Sequence, residues 1–163
     1  MRLDLATPDA VYDAALAMRG SDFREFRALS TADSRPDLAC QLTERFGSRP
    51  DVMVAFDGDE PVAVGGLLEQ RPNVLTVLFF ATDRFPVVAR PLTRFVKQEL
   101  LPRVKTAGAH RIECVVQAEH ATAIRWIRYF GLRAEGLPMR GYGKSGETFQ
   151  QFAWVSGACP AGA

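Results

Sequence analysis

At 163 residues the chain has room for one core and none for a second domain of average size, and its 47% hydrophobic and 24% charged content excludes a disordered or fibrous protein. Lys+Arg 20 against Asp+Glu 19 leaves a formal net charge of +1, which removes bulk attraction to nucleic acid or an anionic membrane, so any anion site must be local. Lys97, Lys105 and Lys144 are the only lysines; arginine supplies the rest of the positive charge, and its planar fork suits phosphate and carboxylate.

In chain order, RLDLA at 2–6 alternates as a strand does, and Thr7-Pro8 supplies a cap and first-turn proline for the helical stretch AVYDAALAM. A second helix is predicted from Ser21, with Phe23, Phe26 and Leu29 at helical spacing, and a third from about Leu38 to Phe46, stopped by Gly47. VMVAF at 52–56 and VAVGGLLE at 62–69 flank Asp57-Gly58-Asp59 and read as a hairpin. VLTVLFFA at 74–81 is apolar without alternation, as in a strand covered on both faces at the sheet centre. A long helix is predicted between Pro86 and Ala107, with Pro91 in its first turn, Pro102 kinking it and Gly108 stopping it. RIECVVQ at 111–117 is the next strand, ATAIRWIRYF at 121–130 the next helix, and RAEGLPMR and ETFQQFAWV two further strands around GYGKSG. Residues 1–155 form one domain on this reading, and 156–163 a loose tail.

Several chemistries drop out. Cys40, Cys114 and Cys159 make no CxxC pair, Cys114 reads as an inert buried thiol, and two histidines without HExxH give a metal nothing to bind. GYGKSG lacks the first glycine of a phosphate-binding loop, since Pro138 stands there, so Lys144 is a solvated tip or a flap. MRLDLATPDA has no apolar core of signal-peptide length and no run reaches about 18 apolar residues, so a soluble, cytoplasmic protein with no membrane partner is expected.

The element order resembles the GNAT acetyltransferase superfamily across nearly the whole chain, and HATAIRWIRYFGL at 120–132 is similar to its Asn-x-x-Ala-hydrophobic…Tyr…Gly-Phe helix, with Ala123, Ile124, Gly131 and Leu132 in register. Three segments are also similar to small GNAT-like proteins of tailed phages, the podophage internal virion protein A group: MRGSDFREF at 18–26, AIRWIRYFGL at 123–132 and GETFQQFAWV at 146–155. The resemblance implies an α/β (α+β) fold with a mixed, mostly antiparallel sheet of six or seven strands and about four helices. It also implies acetyl-CoA as co-substrate, a small-molecule or protein amine as acceptor, and an opening between strands 74–81 and 111–117 where backbone N–H groups of Phe80, Ala81 and Thr82 polarise the thioester carbonyl.

Departures from the pattern matter as much. The superfamily holds the coenzyme pyrophosphate on backbone N–H groups of a glycine-rich loop. Here that stretch reads TDRFPVVARPLTR, with Val87 where glycine is wanted and proline at 86 and 91, so Arg84, Arg90 and Arg94 are the candidate phosphate ligands. His120 replaces the coenzyme-contacting Asn and either contacts coenzyme, relays a proton or caps the following helix; Ile127 stands where a tyrosine would protonate the leaving thiolate. Glu69 is a candidate general base or a strand cap, Tyr142 a candidate acid from the terminal loop, and Glu113 a substrate contact or the partner of a nearby arginine. The rival reading keeps the fold without turnover: a virion-associated or host-interacting phage module, with a virion or host protein as partner. Either reading allows a homodimer.

Overall fold

The computed structural model describes residues 1–157; Cys159 and most of the expected tail lie outside them. Seven strands form one sheet in the order β1-β2-β3-β4-β5-β7-β6. They are β1 Arg2–Leu5, β2 Val52–Asp57, β3 Glu60–Arg71, β4 Val74–Ala81, β5 Arg111–Gln117, β6 Arg133–Met139 and β7 Phe149–Val155. Every neighbouring pair is antiparallel except β4 and β5. The β2–β3 hairpin closes at Asp57↔Glu60 with Gly58 at φ 62°, the left-handed conformation glycine adopts without strain.

Helices α1 Pro8–Leu16, α2 Gly20–Ala28 and α3 Arg35–Phe46 follow β1. Thr7 and Ser34 cap α1 and α3 through their hydroxyls, and each cap precedes a first-turn proline that would have no partner for an N–H anyway. The helix after β4 starts at Pro86 and runs as α4 Pro86–Phe95, a π turn Val96–Leu100 and α5 Leu101–Thr106. Pro86, not Pro91, is its first-turn residue; Pro91 sits inside α4. The π turn ends just before Pro102, whose missing N–H cannot close an ordinary i→i−4 bond. Helix α6, Ala121–Tyr129, follows β5.

Alternate residues of β4 feed two layers. Leu78 and Phe80 pack with α1 and α3 through Val11, Leu38, Leu42 and Phe46, while Leu75 and Val77 pack with α5 and α6 through Leu101 and Ile127, beside Ile112 of β5. Ala81 and Phe79 join Val88 and Leu92 of α4. Covered on both faces, β4 is the apolar central strand its sequence predicts. No helix among the described residues is long and apolar enough to cross a membrane.

Candidate active site

The parallel ladder between β4 and β5 has three register pairs, Val74↔Arg111, Leu75↔Ile112 and Thr76↔Glu113, and then stops. From Val77 on one side and Cys114 on the other the strands diverge, as the sequence reading expects. At the paired end, Arg71 of β3 and Arg111 of β5 both bond Glu113, and Arg111 also grips Glu135 of β6. Glu113 is thus the arginine partner of the two alternatives, and the two carboxylates hold the Arg111 guanidinium firmly protonated.

The far end of the opening is bridged. The Met18–Arg19 link between α1 and α2 lies along the end of β4: Met18 bridges Thr82 and the Arg19 N–H donates to Ala81 O at 2.9 Å. Asp22 of α2, 3% exposed, accepts the Ala81 N–H at 2.9 Å and Arg19 Nε at 2.8 Å. One turn on, Glu25 accepts the Gln117 N–H of β5 and faces His120 Nδ1, both at 3.0 Å. Two carboxylates at i and i+3 therefore stand in for the missing ladder, one on each strand end. The result is a window, bounded by the β4–β5 ladder at one end and α2 at the other. A cavity of about 1710 Å³ reaches both faces of the sheet here, with Phe79, Val115 and His120 among its lining residues.

Strand parity decides which N–H groups look into the window. The Thr82 N–H donates to Val62 O of β3, so Phe80, two residues back, also faces β3, and the Ala81 N–H belongs to Asp22. The structure thus engages all three expected backbone donors, Phe80, Ala81 and Thr82. Phe79 has the opposite parity, and its N–H points toward β5 beyond the last ladder pair. Sequence reasoning missed it by one residue, because parity depends on a register that β3 and β4 set through an irregular turn between Glu69 and Arg71.

The start of α4 is equally well occupied. Arg84 N–H donates to Thr82 Oγ1, Phe85 N–H to Thr82 O, Val87 N–H to Arg84 O and Val88 N–H to Phe85 O, while Pro86 has none to give. The backbone cradle for a diphosphate is absent. Arg84 is held by Asp57 and Glu60 of the β2–β3 hairpin. Arg90 and Arg94 are exposed, line the cavity and have no ion-pair partner among the described residues.

Glu69 lies at the closed end, opposite Leu75, with its carboxylate accepting the Asn73 N–H at 2.8 Å. It caps the β3–β4 turn, about 13 Å along the strand from Phe79, and the fold does not bring it to the window. Tyr142 sits near the other end, its ring 5.4 Å from that of Phe149, which pairs with Gln117. Lys144 is a latch: Nζ donates to Ala32 O at 2.6 Å and its N–H to Ala28 O at 2.8 Å, pinning the β6–β7 loop to the α2–α3 link. The His120 side chain does not cap α6. Ile127 is interior, and burial with nearby Glu25 and Glu113 pushes the Cys114 thiol up to about 12, as expected of an inert cysteine. Between α4 and α6, Trp126 packs on Phe79 (4.5 Å between ring centroids), Phe85 and Phe130, and donates to Thr93 Oγ1 at 2.9 Å. No group of His, Cys, Asp and Glu side chains among the described residues could hold a metal ion.

A seven-stranded mixed sheet opening beside its only parallel pair, with the long helix following β4, is the acyl-CoA N-acyltransferase fold of the GNAT acetyltransferases. The ribosomal-protein-S18-alanine N-acetyltransferase from Escherichia coli is 16% identical, with 99% of this chain and 98% of that one covered at a TM-score of 0.66. A GNAT-family acetyltransferase from Streptococcus pneumoniae, 16% identical, covers 96% and 99% at 0.64. An acetyltransferase from Bacillus subtilis solved in complex with CoA, 16% identical, covers 95% and 97% at 0.60. At these identities the likeness is one of fold. No family model matches the sequence, and no curated protein does.

Proposed function

We propose that the chain is an N-acyltransferase that moves the acetyl group of acetyl-CoA to an amine by direct attack. The window between β4 and β5 carries this reading: a slender thioester arm fits between strands that have parted, and the Phe79 N–H is the backbone donor turned toward it. The co-substrate supplies an activated acyl carbon. Phe79 holds the carbonyl oxygen, and Arg90 and Arg94 hold the phosphates by side-chain forks in place of backbone donors. Holding both reactants in one slot supplies much of the acceleration, which makes the absence of a tyrosine at 127 tolerable.

The test is a calorimetric titration of the full chain with acetyl-CoA, followed by thiol release across a panel of primary amines. Binding that weakens at least tenfold in the Arg90→Ala/Arg94→Ala double variant supports the assignment; unchanged binding removes the arginines from it. The occupied N–H groups of residues 84–88 favour a second reading, a phage module that keeps the fold for contact with a virion or host protein. That reading expects no heat with acetyl-CoA and no thermal stabilisation by it.

A further inference from the structure

The reaction as described leaves one buried group of titratable side chains at the window unused. Glu25 Oε2 accepts the Gln117 N–H and lies 3.0 Å from His120 Nδ1, so the carboxylate is anchored on the β5 backbone and cannot turn away from the ring. A carboxylate only accepts, so Nδ1 carries the hydrogen. The other ring nitrogen, Nε2, is buried and has no hydrogen-bond partner. Its nearest acid is Asp22 Oδ1 at 3.5 Å, an atom already taken by Arg19 Nε at 2.8 Å and Ser21 Oγ at 3.2 Å. His120 is 9% exposed, and it lines the cavity together with Asp22 and Glu25. An orphaned lone pair on a buried imidazole, with one carboxylate fixing its tautomer and a second beside the empty nitrogen, is a place built to receive a proton: the imidazolium that forms is flanked by both acids.

We propose that His120 Nε2, oriented by Glu25, is the proton acceptor for the attacking amine. The proposal rests on the transferase reading. Asp22 binds the Ala81 N–H and lies 3.5 Å from Nε2, and Ala81 is two residues, about 7 Å, along β4 from Phe79, so the ring stands at the same end of the window as the Phe79 donor and the proton reaches it through water in the cavity. The first proton of the ammonium passes to Nε2. The C–N bond then forms at the acyl carbon as the C–S bond breaks, its electron pair staying on sulfur. The second nitrogen proton restores the thiol, and His120 returns its proton to solvent. Glu25 is the positioning residue. The charged groups beside the ring are Asp22 and Glu25 of α2; Arg19 pairs with Asp22, and the Cys114 thiol of β5, near Glu25, stays protonated.

Nitrogen NMR of the uniformly labelled full chain reads the tautomer directly, because His110 is the only other histidine. Above neutral pH the expected spectrum shows His120 with hydrogen on Nδ1 and none on Nε2; hydrogen on Nε2, alone or with Nδ1 up to pH 9, overturns the proposal. With acetyl-CoA and the amine panel, His120→Gln is expected to lower kcat about 10²–10³-fold at unchanged KM for acetyl-CoA and to lose the rising limb of the pH profile. Glu25→Gln keeps an acceptor for Nδ1 but removes a charge that stabilises the imidazolium, so the limb moves to lower pH; a merely structural Glu25 leaves it in place, which overturns the assignment. If His120→Gln does not fold, the tautomer and the Glu25→Gln profile still decide. An active wild type matched by His120→Gln refutes the proton acceptor alone, whereas a wild type that binds no acetyl-CoA refutes the transferase reading with it.

Discussion

Replacing Asp22 by alanine tests whether α2 holds the window's far end. The carboxylate is 3% exposed and serves Ala81 N–H at 2.9 Å, Arg19 Nε at 2.8 Å and Ser21 Oγ at 3.2 Å. Its loss strands a fully buried N–H, which costs about 1–3 kcal/mol, and leaves a guanidinium without its partner. Breaking a buried ion pair from one side costs about 3–5 kcal/mol, but Arg19 is 17% exposed and can recover some hydration, so the low ends of both losses, about 3 and about 1 kcal/mol, give about 4 kcal/mol. At roughly 2–4 °C per kcal/mol for a domain of this size, Tm should fall by about 8–16 °C. Asp22→Asn keeps an acceptor for Ala81 and loses only the charge, so it should fall between wild type and alanine. Urea unfolding of the three proteins reads the differences. A Asp22→Ala variant within about 1 kcal/mol of wild type would show that the strand ends do not depend on α2, and the account of the window would fail.

Four further outcomes follow from the same geometry. Arg84→Ala, which removes only half-exposed ion pairs to the hairpin, should change stability by under about 1 kcal/mol and leave acetyl-CoA affinity where it is, in contrast to Arg90 and Arg94; calorimetry separates them. Gly66→Ala would place a Cβ 2.2 Å from the Asp51 carbonyl oxygen, a backbone atom that cannot step aside, so a loss of about 1–3 kcal/mol or more is expected in urea. The Cys114 thiol is neutral in the fold up to about 12 but ionises near 9.0 when unfolded, so above that pH the unfolded chain binds fewer protons and stability falls as pH rises toward 12; Cys114→Ala should flatten that alkaline loss in unfolding midpoints measured from pH 8 to 11. At pH 8 an alkylating reagent should mark exposed Cys40 well before Cys114, by peptide mass.

What could be read from the sequence is what depends on neighbours along the chain. Thr7-Pro8, the Asp57-Gly58-Asp59 turn and the unbroken apolar run at 74–81 each act locally, and each element lies within a few residues of its expected place. The parting of β4 from β5 also followed, though from the resemblance in element order and not from spacing. The direction of the Phe79 N–H and the place of Glu69 at the closed end did not follow, because both turn on strand register, and one residue of slip exchanges the face toward β3 for the face toward β5. The ion pairs of Arg84 did not follow for a related reason: the hairpin carboxylates that hold it are 27 and 24 positions away in sequence.

Asp22, Glu25 and His120 show the same limit at longer range. The segment MRGSDFREF carried a recognisable spacing but no role, since its two acids are one helical turn apart and their partners, Ala81 and Gln117 at strand ends and His120 at the start of α6, lie 59 to 95 residues distant. Once the fold joins them, the spacing has a physical reason. Two strands that part expose N–H groups on facing edges, and in a buried place those donors must be satisfied. Asp22 and Glu25 do so from a single helix, and the acid that satisfies β5 is also the one that orients the histidine. The device that keeps the window open and the device that takes up a proton there are therefore one structure, so a change that loosens the first, such as Asp22→Ala, should also disturb the tautomer of His120 in the nitrogen spectrum.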